Sequence, residues 1–169
     1  ISITPKWSGT VYKEGYGVWI DYNNDGWQDL YVANDFEYDD RLFLNKRDGT
    51  FANVIQQAIP TTSYYSMGSA AADLDGDSQE DLLVLDMAAT THYKAKVAMG
   101  ALTPQQTYVL DNAEPRQAMR NVLLLNTGTP HMREAARLAG ISKSDWSWSP
   151  LIADLDNDGD HDILITNGM

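Results

Sequence analysis

The chain has 169 residues, the size of one domain or a piece of a larger protein. It carries 24 acidic against 12 basic side chains, a formal net charge of -12, and a field of that sign repels phosphate, so no nucleic-acid partner is expected. It has no cysteine, which excludes disulfides, thiolate zinc sites and cysteine nucleophiles, while hydrophobic residues at 43% suffice for a packed core without any run long enough to span a membrane.

In chain order, the opening ISITPKWSGT has no initiator Met, no basic segment and no apolar segment, so no targeting signal is visible in it. Four strands are then predicted at Gly17–Ile20, Asp29–Ala33, Arg41–Asn45 and Thr50–Val54, with an Asp48-Gly49 hairpin turn before the last. A second set follows at Gly68–Ala72, Asp81–Leu85 and Asn121–Asn126, where Arg120–Asn126 echoes Arg41–Asn45. Between the second and third of these lies an insert, residues 87–119. Thr103-Pro104 reads as the start of a helix running to Leu110 and stopped by Pro115, and a second helical piece is predicted near His92–Met99. Arg133–Ala139 is predicted as a short helix closing before Gly140, in the place of a fourth strand. The final run Asp162–Met169 reads as a strand.

Three segments align without gaps, each an apolar strand, then D-x-[DN]-x-D-[GS]-x-x-D, then a second apolar strand. The first offers Asp21, Asn23, Asp25, Trp27 and Asp29; the second Asp73, Asp75, Asp77, Gln79 and Asp81; the third Asp154, Asp156, Asp158, Asp160 and Asp162. Numbered within the loop, these are positions 1, 3, 5, 7 and 9. Calcium is a hard cation that takes oxygen ligands, and carboxylates at alternating positions can converge on one ion. Position 6 favours glycine for a sharp turn, as at Gly26 and Gly159, and position 7 is expected to offer its backbone carbonyl. Asp, Asn and Gly also populate ordinary turns, but three copies with one spacing favour up to three bound Ca²⁺ ions. EF-hand loops need an acidic ligand at position 12, which here is Val32, Val84 and Ile165. Loop one has Asn23 in place of a carboxylate, and loop two has Ser78 at position 6 with its glycine moved to Gly76. The expected order of affinity is loop three, loop two, loop one.

Gly17 and Gly68 lie 51 positions apart, and four short strands per unit of about 50 residues mark a β-propeller blade. The predicted fold is all-β: four-stranded antiparallel blades with calcium-binding loops and a partly helical insert. Blade one is expected at about 11–60, blade two at about 64–138 with its insert at 87–119, and the start of blade three at about 145–169. Closed propellers have four to eight blades, so an incomplete propeller is expected, with the remainder of the ring supplied from outside these residues.

The repeats resemble FG-GAP/VCBS repeats, the blade unit of integrin α-subunit propellers and many bacterial surface proteins. Ala153–Ile163 and the pair Leu44-Asn45 with Asp48–Phe51 carry that resemblance. Asp145-Trp-Ser-Trp-Ser149 is similar to the bacterial ASPIC/UnbV-associated subgroup. The resemblance implies Ca²⁺ held by the Asp-rich loops between the first two strands of each blade. It departs from the family pattern at Asn23 and Ser78.

The insert, with Met87, Met99, Met119, Tyr93 and Tyr108, reads either as a functional addition or as a cover packed on the neighbouring blade. Trp146 and Trp148 alternate with serines, which places both on one face of an extended run and suits sugar stacking or packing between blades, and Trp27 is expected exposed at a loop tip. Trp7 and Trp19 are scattered. The histidines His92, His131 and His161 have no metal-ligand spacing, and neither a G-x-S-x-G elbow nor a phosphate loop occurs. The sequence therefore predicts a non-enzymatic, calcium-stabilised segment of a bacterial secreted or cell-surface protein, for adhesion or binding of a protein or glycan ligand. An accessory or substrate-platform propeller of a larger extracellular enzyme, or a structural subunit of an outer-surface complex, stands as the alternative.

Overall fold

The computed structural model describes residues 15–35, 38–98 and 101–168. Residues 11–14 of the expected first blade, Trp7 and Met99 lie outside the described residues. β1 (Gly15–Ile20), β2 (Asp29–Asn34), β3 (Arg41–Asn45) and β4 (Phe51–Asn53) form one antiparallel sheet in chain order. A one-turn helix, α1 (Ile55–Ala58), follows and leads to β5 (Thr61–Ser63). β6 (Gly68–Ala72) and β7 (Asp81–Leu85) pair antiparallel, with Gly68 opposite Leu85 and Ala72 opposite Asp81. The insert carries α2 (His92–Ala98), α3 (Pro104–Asn112) and β8 (Arg116–Ala118). β9 (Val122–Leu125) and β10 (Arg133–Glu134) then complete the second sheet in the order β10-β9-β7-β6. β11 (Ser147–Ala153) and β12 (Asp162–Asn167) make a third, two-stranded antiparallel sheet. These are propeller-type sheets: two of four strands and the first pair of a third.

The strand period of two explains how the sheets stack. β7 is apolar at four successive positions after Asp81, and all five of its residues are buried. Leu82 and Val84 point to the first sheet and pack with Ile20, Tyr31, Leu42, Val122 and Leu124. Leu83 and Leu85 point the other way, to Ile152, Ile163 and Ile165 of the third sheet. A strand covered on both faces reads as a continuous hydrophobic run, and this one does. β6 also needs close approach: a Cβ on Gly68 would lie 2.4 Å from the Trp148 carbonyl oxygen, so glycine there lets the second and third sheets meet backbone to backbone.

Three expectations need correction. Arg133–Ala139 is not a helix. Arg120 holds Glu134 with two hydrogen bonds, of 2.7 and 3.0 Å, and Arg133–Glu134 stays extended beside β9 as the fourth strand. Only one turn follows, and a stretch that short cannot sustain a helix by itself. The fourth strand of the first sheet is also shorter than predicted, because the chain turns into α1 after Asn53. Finally, Trp146 precedes β11, while Trp148 sits at a register shift between Ser147 and Ser149, so the two do not share a regular strand face.

Both insert helices form where expected, and α3 begins with a capping box in which Thr103 and Gln106 exchange hydrogen bonds. β8 pairs in parallel with β5, an unpredicted pairing that ties the insert to the junction of the first two sheets. Gln106 donates to the Tyr65 hydroxyl, Gln56 to the Glu114 carbonyl, and Lys94 pairs with Asp145.

Candidate metal centre

Each Asp-rich loop joins the first two strands of its sheet, and the three share one hydrogen-bond frame. The position 1 carboxylate accepts from the backbone N–H groups of positions 5 and 6. In loop one Asp21 accepts from Asp25 at 3.0 Å and from Gly26 at 2.8 Å. In loop two Asp73 accepts from Asp77 at 3.1 Å and from Ser78 at 2.8 Å, and in loop three Asp154 accepts from Asp158 at 3.2 Å and from Gly159 at 3.1 Å. The position 5 carboxylate turns to cap position 7, Asp25 to Trp27, Asp77 to Gln79 and Asp158 to Asp160, each at 2.9 Å. Position 4 and position 6 both take left-handed backbone, at Asn24, Gly76 and Asn157 and at Gly26, Ser78 and Gly159.

This frame brings positions 1, 3 and 9 together. In loop two Asp73, Asp75 and Asp81, and in loop three Asp154, Asp156 and Asp162, each present one carboxylate oxygen, the three within 4.8 Å of one another. Among the described residues, no Lys or Arg side chain pairs with any of these six carboxylates. Asp77 and Asp158 stand outside the two groups of three, their position 5 carboxylates being used as caps. Trp27 is 48% exposed at its loop tip.

Loop one differs. Asn23 supplies an amide where its counterparts supply charge, and Asp25 pairs with Arg47 at 2.8 Å, which holds its carboxyl below the usual range. No group of three convergent carboxylates forms in this loop among the described residues.

The position 9 residues of loops one and two are anchored from the end of the third strand, a link that spacing within the loop does not reveal. The Asn45 N–H donates to Asp29 at 2.7 Å and the Asn126 N–H to Asp81 at 2.8 Å. The other oxygen of Asp81 accepts from the Leu74 N–H, and Asp162 accepts from the Leu155 N–H, both at 2.9 Å. Asp29 Oδ2 is buried and accepts no well-formed hydrogen bond. Burial raises the Asp29 carboxyl to about 6 and also raises that of Asp81. An anionic oxygen buried this way is costly unless a cation or proton meets it.

A second set of acids lies between the first two sheets, at the strand ends away from the loops. Asp40 is buried and accepts from the Tyr31 hydroxyl at 2.5 Å, the Asn34 N–H at 2.7 Å and the Ser66 hydroxyl at 2.9 Å. Asp86 accepts from Ser63 at 2.6 Å and from the N–H groups of Tyr64 and Tyr65. Burial raises them to about 7 and about 6 respectively.

The FG-GAP-like repeat matches residues 21–84 and 108–165, together more than half of the chain. The chain belongs to the FG-GAP-like repeat family. The matched segments contain all three loops and most of the strands that carry them, β1 lying before the first segment. No curated protein matches the chain.

The two groups of three carboxylates fit a hard divalent cation: all their donors are oxygen, they converge, and no side-chain cation neutralises them. Loop one keeps the frame but offers Asp21 and Asp29 with the Asn23 amide.

Proposed function

We propose that this FG-GAP-like segment is a calcium-stabilised part of a β-propeller in a bacterial secreted or cell-surface protein, where it presents a rigid, non-catalytic scaffold for adhesion to a protein or glycan. The observation that carries the calcium reading is the convergence of Asp73, Asp75 and Asp81, repeated by Asp154, Asp156 and Asp162 at identical loop positions. The likeness of Asp145–Ser149 to the bacterial ASPIC/UnbV-associated subgroup supports the bacterial assignment. The acidic balance of the chain suits a medium rich in divalent cations.

In loops two and three, the carboxylates at positions 1, 3 and 9 would hold the ion. Bound there, Ca²⁺ supplies positive charge to groups of acids that otherwise repel one another. The chain's own part is to fix the oxygens before the ion arrives. Backbone N–H groups orient positions 1 and 3, while the third strand anchors Asp81. If each site binds at about 10⁻⁴ M in a medium holding about 10⁻³ M Ca²⁺, each contributes roughly 1.4 kcal/mol to stability.

The test is a calorimetric Ca²⁺ titration of the chain and of Asp156→Ala, with melting curves in Ca²⁺ and in EDTA. Saturable binding, a melting temperature raised by several degrees, and one site fewer in the variant are expected. No heat and no shift would reduce the Asp-rich segments to turns.

A further inference from the structure

The loops are not independent units, because loops two and three each touch the loop before them through one repeated position. Glu80, at position 8 of loop two, accepts the backbone N–H of Asp21, position 1 of loop one, at 2.8 Å. His161, at position 8 of loop three, makes the corresponding contact: its Nδ1 lies 2.8 Å from the carbonyl oxygen of Asp73, position 1 of loop two, and donates to it. One side chain accepts and the other donates, yet both seize the backbone of the residue whose carboxylate organises the receiving loop. In each case the side chain adjoins the position 9 ligand of its own loop, Asp81 or Asp162. The first junction has a further link, a close hydrogen bond from Asn24 Nδ2, at position 4, to Gln79 Oε1, at position 7. The second junction lacks that link, because position 4 of loop two is Gly76 and has no side chain to offer.

We propose that Glu80 and His161 are positioning residues of a relay, through which an ion held in one loop raises the ion affinity of the loop before it. This rests on the calcium reading given above. An ion on Asp73, Asp75 and Asp81 fixes the backbone through position 9 and so orders Glu80 next to it. Asp21 is then held without a further ordering cost when loop one takes its own ion. The effect is reciprocal, as any coupling between binding equilibria must be. With two contacts against one, loops one and two couple more strongly than loops two and three. A factor of about five between loops one and two is the scale at the low end of such couplings.

The relay has a local reporter, since Trp27 is the one indole within the three loop sequences. Tb³⁺, a hard trivalent ion that seeks the same oxygens, is excited through a nearby indole, so sensitised emission reads loop one. Four forms of the full chain make a cycle: wild type, Asp75→Asn, Glu80→Ala and the double variant. Asp75 and Glu80 lie outside the hydrophobic core, which leaves the fold intact in each. Asp75→Asn is expected to weaken Tb³⁺ at loop one about fivefold in wild type and by a clearly smaller factor in the Glu80→Ala background, where only the Asn24–Gln79 contact remains. Glu80→Gln keeps an acceptor without the charge; it should lower affinity evenly while retaining the fivefold response. An equal loss in both backgrounds, or no loss in either, overturns the relay. So does calorimetric binding at loops two and three with no emission from loop one. Absence of both heat and emission would instead remove the calcium reading, and the relay with it.

Discussion

In loop one, backbone N–H groups close on Asp21, Asn23 and Asp25 by the same pattern that closes loop two on Asp73, Asp75 and Asp77. Their position 9 residues are anchored by equivalent third-strand asparagines, at 2.7 and 2.8 Å. Yet only loop two gathers three carboxylates, and only loop one has an arginine on its position 5 acid. The backbone frame is thus set by Asp at positions 1, 5 and 9 and survives loss of the charge at position 3. Charge at the site is set separately, by position 3 and by what reaches in from outside. Fold and ion affinity are therefore carried by different residues of one motif, so a repeat can keep its shape while its metal site weakens.

The largest expected effect separates acids that await a cation from acids that do not. Asp29 and Asp40 are both buried in the first two sheets, but Asp40 has three donors and lies away from the loops. Burial raises Asp40 to about 7 and Asp29 to about 6, above the unfolded value near 4. A folded pKa raised in this way gives stability that is complete below the unfolded pKa. That stability is lost as pH rises through the folded value. In EDTA, the Asp40 contribution to the unfolding free energy should thus fall by about 2 kcal/mol between pH 5 and pH 7, as measured by urea denaturation, with Asp29 and Asp86 adding to the slope. Asp40→Asn should remove that contribution and leave the part of the slope that Asp29 and Asp86 carry. A slope unchanged in this variant would mean that Asp40 is ionised throughout and is stabilised by its three donors.

A smaller effect sharpens the contrast between loops directly. Asn23→Asp together with Arg47→Ala gives loop one the charges of loop two on an unchanged frame. The double variant is expected to raise loop one from a weak Ca²⁺ site to one of loop-two strength in the calorimeter. In about 10⁻³ M Ca²⁺ its stabilisation over EDTA should exceed the wild-type difference by up to roughly 1.4 kcal/mol. A gain in stability without a gain in binding would show that relief of the Arg47 contact, rather than the ion, is responsible.

These tests use residues that differ in how visible they were before the structure. The repeat spacing made the three loops, the flanking strands and the stacked sheets legible, because period-two apolar patterns and left-handed turn residues are local signals. The fourth strand at Arg133–Glu134 was hidden, since Arg-Glu-Ala-Ala-Arg favours a helix locally and the deciding contact comes from Arg120, outside the segment. The β5–β8 pair was hidden for a similar reason: its partners are 55 positions apart, across an insert with no repeat to compare it with. At the metal site, the sequence supplied all five alternating positions but not their division of labour. Position 5 caps the backbone while positions 1, 3 and 9 converge, and that division depends on which way each side chain turns. Glu80 and His161 share no chemistry, so their common role appears only when the loops are stacked.

The smallest expected effect concerns the frame alone. Position 6 is left-handed in every loop, with φ of 82° at Gly26, 69° at Ser78 and 99° at Gly159. A side chain in that region costs about 1–2 kcal/mol, while glycine there is free of the clash but loses about 0.5–1 kcal/mol of chain entropy. Ser78 is exposed, and its backbone N–H, which glycine retains, makes the 2.8 Å bond to Asp73. Ser78→Gly should therefore stabilise the chain by about 0.5–1 kcal/mol, or roughly 2 °C in a thermal melt. The same gain should appear in EDTA and in Ca²⁺, because the substitution touches no oxygen of the site. Gly26→Ser is the mirror experiment and should lose about as much in loop one. A Ser78→Gly gain seen only with Ca²⁺ would show that the frame is not fully formed before the ion binds. In that event the separation of shape from affinity drawn from loops one and two would fail.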